Sequence, residues 1–195
     1  MKTLALLAVL SAGGLSVGCG SPTDPGKVSP SVETAVDASV KASVDAGGHP
    51  LSATTDDPGT LTFEAELIRL VNDYRVAKGL NALIDSPALR AAARAHSQHM
   101  ILHRFFAHAS PEGLSPGDRL SMNGIAWTSV GENIAAGYAT PQAVFDAWLA
   151  SPGHRENIES DQWTHTGAGY ALDRAPSDDF PHTHLWTQDF VRTPK

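Results

Sequence analysis

The sequence predicts an α+β domain in which helices come first and an antiparallel sheet comes last. Between residues 61 and 150, apolar residues recur at helical spacing in three segments that Pro or Gly punctuates. Two later segments, 166–172 and 182–191, alternate between two faces as strands do. Helical segments followed by strands are typical of an α+β architecture.

Three helices are expected, each preceded by a residue that can cap a helix N-terminus. The first covers about 63–78, the second about 87–103, and the third begins at Thr140-Pro141. Gly- and Pro-rich loops occupy 110–118. The other boundary residues are Thr62, Gly79, Ser86-Pro87 and Ser151-Pro152-Gly153.

The last predicted strand carries a mixed pattern on its two faces. One face would present His182, His184, Trp186, Gln188 and Phe190, and the other Thr183, Leu185, Thr187 and Asp189.

Composition excludes some classes of protein. The 195 residues are 42% hydrophobic and 18% charged, with a net charge of -7. That content is typical of a globular chain, and the acidic balance disfavours nucleic acid as a partner. The single cysteine rules out an internal disulfide, so the domain depends on its core.

The first nineteen residues resemble a bacterial lipoprotein signal. Lys2 precedes an apolar run, Leu4 to Leu10, which is too short to span a bilayer. Small residues then lead to Cys19, the expected lipid attachment point, although Ser16 stands where the usual pattern has Leu. An ordinary cleaved export signal is the alternative. Either interpretation places the chain in the cell envelope, as an outer-membrane lipoprotein, or outside the cell.

Residues 20–60 are rich in Ser, Thr, Pro, Gly, Ala and Asp and contain no aromatic residue. Such a segment buries too little apolar surface to offset its ordering entropy. We therefore expect a disordered tether over 20–60 and a folded domain over 61–195.

Four segments in order resemble the CAP superfamily (the SCP/PR-1-like domain), in its bacterial branch. They are FFAHASPEG at 105–113, GENIA at 131–135, WLASPGHRENI at 148–158, and GAGYA at 167–171 continuing to WTQDF at 186–190. The resemblance covers about 62–191. It implies a three-layer α-β-α sandwich, with a small antiparallel sheet between helical layers and a surface cleft.

The resemblance also implies site residues. His108 matches the first cleft histidine, and Glu132 matches one of the two acidic residues, with Asn133 beside it. Ser151 and Leu185 stand where the family has its second acidic residue and second histidine. His108, Glu132 and the nearby His154 could bind a divalent metal such as zinc. Alternatively, they form hydrogen-bonded structural pairs.

The sequence carries further histidines outside this candidate site. His96, His99 and His103 lie three and four residues apart, so they share one stretch of the second helix. A pair four apart can bind metal, but a helix face packed on the core is the simpler interpretation. Strand alternation places His184 opposite the cleft position, and His165 and His182 have no assigned role.

Familiar enzyme motifs are absent or fail on mechanism. The segment Gly113-Leu114-Ser115-Pro116-Gly117 fits the letters of a nucleophile elbow. However, Pro116 lacks the backbone N–H that the oxyanion hole needs. The sequence has no HExxH zinc-protease motif, no phosphate-binding loop and no dinucleotide fingerprint.

The favoured function is therefore a non-enzymatic binding module of the cell envelope. The resemblance implies lipid, sterol-like or protein ligands, and the membrane would be a partner through Cys19. One alternative is a metal-dependent, peptidase-like hydrolase that uses His108, Glu132 and His154. Another is a purely structural role in the envelope.

Overall fold

The computed structural model describes residues 57–194. Its elements, in chain order, are α1 (Pro58–Ala77), β1 (Ile84–Asp85), α2 (Pro87–Leu102), α3 (Pro116–Met122), β2 (Ser129–Ala136), α4 (Pro141–Ala150), α5 (Pro152–Glu159), β3 (His165–Leu172) and β4 (His184–Arg192). The signal segment, Cys19 and nearly all of the expected tether lie outside the described residues. Within the described part, no helix combines the length and apolarity needed to cross a bilayer.

The four strands form one sheet in the order β1-β3-β4-β2. β4 pairs antiparallel with β3, as the sequence predicts, and also with β2. The exception is β1, whose two residues pair parallel with the start of β3. This order makes β2 an edge strand, and its edge carries the candidate site.

Helices cover both faces of the sheet. On one face, α1, α4 and α5 pack against Trp186 and Phe190 of β4. On the other, α2 and α3 pack against Val191, and Met100 of α2 packs against Leu185. The expected α-β-α sandwich is confirmed.

Two glycines of β3 let α2 approach the sheet closely. A Cβ built on Gly169 would lie 2.0 Å from the backbone nitrogen of Arg94. One built on Gly167 would lie 2.3 Å from that of Arg90. No side chain fits there, so the helix backbone rests directly on the strand.

A buried ion pair closes the outer edge of β3. β1 pairs only with the first residues of β3, which leaves the backbone N–H of Tyr170 without a strand partner on that side. That N–H donates to Glu64 Oε1 of α1 at 3.1 Å. Arg94 of α2 donates to the same carboxylate at 2.7 Å, so the pair joins the two helical layers around the edge.

The predicted starts of the second and third helices are confirmed. Ser86 Oγ accepts from Leu89 N at 3.4 Å, and Thr140 Oγ1 accepts from Ala143 N at 3.2 Å. The predicted start of the first helix is wrong. α1 begins at Pro58, because proline is already fixed in a helical φ at the first position. Thr62 lies inside the helix and donates its hydroxyl to Pro58 O.

The predicted loop over 110–118 is also partly wrong, since α3 begins at Pro116. Ser115 is its N-cap: its Oγ accepts from Asp118 N, and Asp118 accepts from Ser115 N. This capping box stabilises a short helix whose composition resembles a loop. It also gives Ser115, the serine of the segment that resembles a nucleophile elbow, a structural role. The sequence did not indicate α5, β1 or β2 as separate elements.

Candidate functional site

The site is built around Glu132, whose side chain is 2% exposed in the edge strand β2. His108 Nδ1 donates to Glu132 Oε1 at 2.7 Å. Arg119 of α3 donates to the other oxygen, Oε2. Both carboxylate oxygens are therefore engaged by donors from the chain itself.

Arg119 also holds the loop that carries His108. Its Nη1 donates to the backbone oxygen of His108 at 2.6 Å and to that of Leu114 at 3.3 Å. One guanidinium thus joins α3, the loop and β2. The side chain of His108 stays 35% exposed, so it presents a fixed imidazole at the surface.

A second buried carboxyl group faces Glu132. Asp189 of β4 is its direct partner in the ladder. Burial, and then repulsion from Glu132, raise the pKa of Asp189 well above its usual value. Burial alone would also raise the pKa of Glu132, but the hydrogen bond from His108 and the charge of Arg119 lower it overall. The two pKa values therefore shift in opposite directions, which favours the proton on Asp189 over Glu132.

His96 of α2 also holds the loop that carries His108. It is buried in α2, and its Nε2 lies 3.0 Å from the backbone oxygen of Ala107, to which it donates. Burial lowers the pKa of His96 to about 4, so the ring is neutral at physiological pH. The predicted core position of His96 is what the structure shows.

The opposite face of β2 holds α5. Asn133 is fully buried there and donates to the backbone oxygen of His154 at 3.1 Å. Asn157 donates to Asn133 Oδ1 at 2.9 Å and to the backbone oxygen of Glu132 at 3.2 Å. Burial, and then the charge of His108, lower the pKa of His154. The four predicted residues therefore divide between the two faces of β2: His108 and Glu132 are hydrogen-bonded on one face, and Asn133 contacts the backbone of His154 on the other.

Two positions depart from the family pattern in the way the sequence indicates. Leu185 is fully buried against Met100, and His184 lies on the other face, with Nδ1 2.8 Å from the Tyr170 hydroxyl. Ser151 is buried at the start of α5, and its Oγ has no hydrogen-bond partner. Nδ1 of His154 is likewise buried without one.

The donor set fits a metal ion poorly. Glu132 gives both oxygens to His108 and Arg119, and the guanidinium charge opposes a cation at the same place. In residues 57–194, one group of three potential ligands has all its donor atoms within 4.8 Å of one another, and it lies elsewhere. A metal held by His108, Glu132 and His154 stays a prediction.

Sequence reasoning missed Arg119 and Asp189. Nothing in the sequence near Arg119 singles it out, because its partners come from 5, 11 and 13 residues away. Asp189 had a weak signal: an acidic residue on a strand, followed by two buried apolar neighbours, Phe190 and Val191. Such a residue requires a partner or a proton.

The fold is shared with a known family. The chain matches the model of the CAP family, described as the cysteine-rich secretory protein family, over residues 68–190. It belongs to this family. The only cysteine of this member is Cys19, outside the matched region.

Its relatives include the uncharacterized protein YkwD of Bacillus subtilis, which is 34% identical over 160 residues, 82% of this chain and 59% of that protein. A crystal structure of an extracellular SCP-domain protein from Bacillus anthracis is 28% identical, with a TM-score of 0.59, over 69% of this chain and 41% of that one. An outer surface protein of Borrelia burgdorferi shares the fold at 20% identity and a TM-score of 0.58, over 67% of this chain and 92% of that one. The chain thus spans 59% of the length of its first curated relative.

Proposed function

We propose that this protein is an exported binding module, anchored to the cell envelope by lipid at Cys19, which takes an amphiphilic ligand at the edge of β2. The single observation that carries the binding role is the state of Glu132. Its two oxygens are held by His108 and Arg119, so the carboxylate supports the site instead of reacting in it.

The chemistry of the ligand follows from the polar groups near β2 that are still available to bind one. His108 presents a half-buried imidazole, and Ser151 Oγ and His154 Nδ1 are buried without hydrogen-bond partners. Buried polar atoms of this kind are stabilised when a partner reaches them. A sterol hydroxyl or a fatty-acid carboxyl group would supply that partner at the start of α5. This agrees with the lipid or sterol-like ligands that the family resemblance implies, and a protein ligand is the alternative.

The binding test uses the full chain with Cys19→Ser, so that no acyl chain of its own competes. Equilibrium binding of dodecanoate and of cholesterol sulfate is measured for this protein and for a His154→Leu variant. We expect saturable binding that weakens about tenfold when the imidazole is lost. A His165→Leu variant, changed at a histidine of β3 away from this edge, should bind as the parent does. Absence of saturable binding to both probes would refute the lipid-binding role.

The anchor has its own test. In a bacterial host, the full chain should incorporate labelled palmitate and sediment with membranes. The Cys19→Ser variant should lose the label and appear in the soluble or secreted fraction. Equal labelling of both proteins would contradict attachment at Cys19.

A second candidate function rests on the His108–Glu132 pair. A carboxylate that orients an imidazole is the arrangement of a general base, and a metal-dependent hydrolase could use it. This candidate predicts zinc-stimulated peptide cleavage by the full chain, lost on His108→Ala. Turnover that depends on His108 would favour it over the binding module, and no turnover above the His108→Ala background would exclude it.

A further inference from the structure

A different group of potential ligands lies at the C-terminal end of α2. His99 and His103 are stacked edge to face, with ring centroids 4.3 Å apart. Glu112 reaches them from the loop before α3, with its Oε1 3.6 Å from His99 Nε2. One donor atom from each of the three residues lies within 4.8 Å of the other two.

The local structure positions all three side chains at this site. Residues four apart on a helix lie one above the other, and the N–H of His103 still donates to His99 O at 3.0 Å. Glu112 sits in a tight turn, in which Gly113 N donates to Ser110 O at 2.8 Å. The Ser110 side chain also hydrogen-bonds the Glu112 carboxylate. The glutamate is therefore held in a turn that faces the helix.

We propose that His99, His103 and Glu112 bind one divalent transition-metal ion, with zinc as the preferred metal. Two imidazoles and a carboxylate form a recognised three-ligand set for zinc, with a fourth position open to water. Imidazole donors select zinc over magnesium or calcium, which take oxygen ligands.

The spacing agrees with this assignment. Ligand atoms about 2.1 Å from a tetrahedral ion lie about 3.4 Å apart. His99 is buried and fixed, and its 3.6 Å separation from Glu112 is already close to that value. His103 and Glu112 are at the surface. Small rotations of their side chains would therefore bring the three donor atoms, which lie within 4.8 Å of one another, to the spacing of zinc ligands.

The bound ion would act on the neighbouring loop. It would fasten the 110–114 turn to α2, and that turn accepts from Arg119 at Leu114 O. Arg119 in turn holds the backbone of His108. The metal would therefore stabilise the segment that places His108 at the edge of β2, without itself touching Glu132. This inference does not depend on the proposed binding function.

The test is a calorimetric titration of the full chain with zinc chloride, in a Cys19→Ser background that removes the only thiol. We expect one equivalent of zinc and a rise in the melting temperature on saturation. His103→Ala and Glu112→Gln change surface side chains, so both variants should fold. Each should bind zinc at least about tenfold more weakly and lose the thermal shift.

Two further variants separate this site from others. His165→Ala, at a histidine outside the group, and His108→Ala, at the edge of β2, should both keep the parent's zinc affinity. The proposal is overturned if zinc does not bind, if binding survives His103→Ala and Glu112→Gln, or if His108→Ala abolishes it instead. Only the last outcome would place the metal at the candidate functional site, so the two sites are tested independently.

Discussion

Glu132 and Asp189 face each other across β2 and β4 as buried carboxyl groups, yet their pKa values shift in opposite directions. Arg119 and His108 keep Glu132 ionised. Burial and the neighbouring Glu132 carboxylate instead raise the pKa of Asp189, and its Oδ1 has no hydrogen-bond partner. The site therefore depends on Glu132 for its ion pairs, and Asp189 is the acid on which a proton is favoured.

The two acids should respond differently to neutralising substitutions. Glu132→Gln breaks a buried, hydrogen-bonded ion pair and leaves the Arg119 charge without its partner. We expect a loss of about 3–5 kcal/mol in the free energy of unfolding. Asp189→Asn replaces a protonated carboxyl group by an amide of the same shape, and should change that free energy by less than about 1 kcal/mol. Urea unfolding at pH 7 measures both. Equal losses would contradict the assigned protonation states.

Stability should depend on pH through His96. Its pKa is about 4 in the folded protein, against 6.5 for the ordinary side chain. Between these values the unfolded chain binds more protons, so the free energy of unfolding rises with pH and levels off above about 6.5. A difference of 6.5 − 4 pKa units corresponds to about 3 kcal/mol.

The comparison is a His96→Gln variant, whose amide can still donate to Ala107 O. Denaturant unfolding across pH 4 to 7 should give a shallower rise than in the parent. Some rise should persist, because burial also lowers the pKa of His154, His182 and His184. An unchanged slope would mean that His96 is charged or exposed in the folded state.

The contact between α2 and β3 should tolerate no side chain at Gly169. An alanine Cβ there would lie 2.0 Å from the Arg94 nitrogen, so helix and strand must separate. We expect Gly169→Ala to cost at least about 3 kcal/mol or to prevent folding. Gly153→Ala is the matched control: nothing lies within 4 Å of its Cβ, and alanine favours the helix by up to about 1 kcal/mol. Similar melting temperatures for the two variants would contradict this close packing.

Two glutamates of α1 should differ sharply in importance. Glu64 is fully buried and bonds both Arg94 and the Tyr170 backbone, so Glu64→Gln should cost about 3 kcal/mol or more. Glu66 pairs with Arg69 in solvent, and Glu66→Gln should leave the melting temperature nearly unchanged. Thermal unfolding by circular dichroism measures both. If the Glu64→Gln protein is as stable as the Glu66→Gln protein, the contacts of Glu64 at the edge of β3 do not stabilise the fold.

Part of the fold follows from local sequence signals. Ser86-Pro87 and Thr140-Pro141 begin helices because a capping oxygen and a fixed φ act within four residues. β2 had no comparable signal. Its Glu132 and Asn133 are buried polar residues on opposite faces, and both are satisfied by residues far away in the chain. Alternation of apolar and polar residues cannot reveal a strand whose buried groups are polar on both faces.

The candidate site likewise contains residues that the sequence indicates and residues that only the tertiary structure reveals. The family pattern led to His108, Glu132, Asn133 and His154, which the structure places beside β2 on its two faces. Arg119 escaped notice because its role exists only after α3 docks beside β2. The helix spacing of His99 and His103 was visible in the sequence, but Glu112 joins them only through the turn at 110–114. Long-range partners of this kind depend on tertiary structure.

The most direct test of the binding role is an amide NMR titration of the full Cys19→Ser chain with dodecanoate. We predict saturable chemical-shift changes concentrated at residues 131–134 and 151–157, around Glu132 and His154, and weaker ones in the His154→Leu variant. Saturating dodecanoate that leaves these residues unshifted, or that shifts only residues elsewhere, would contradict a ligand site at the edge of β2.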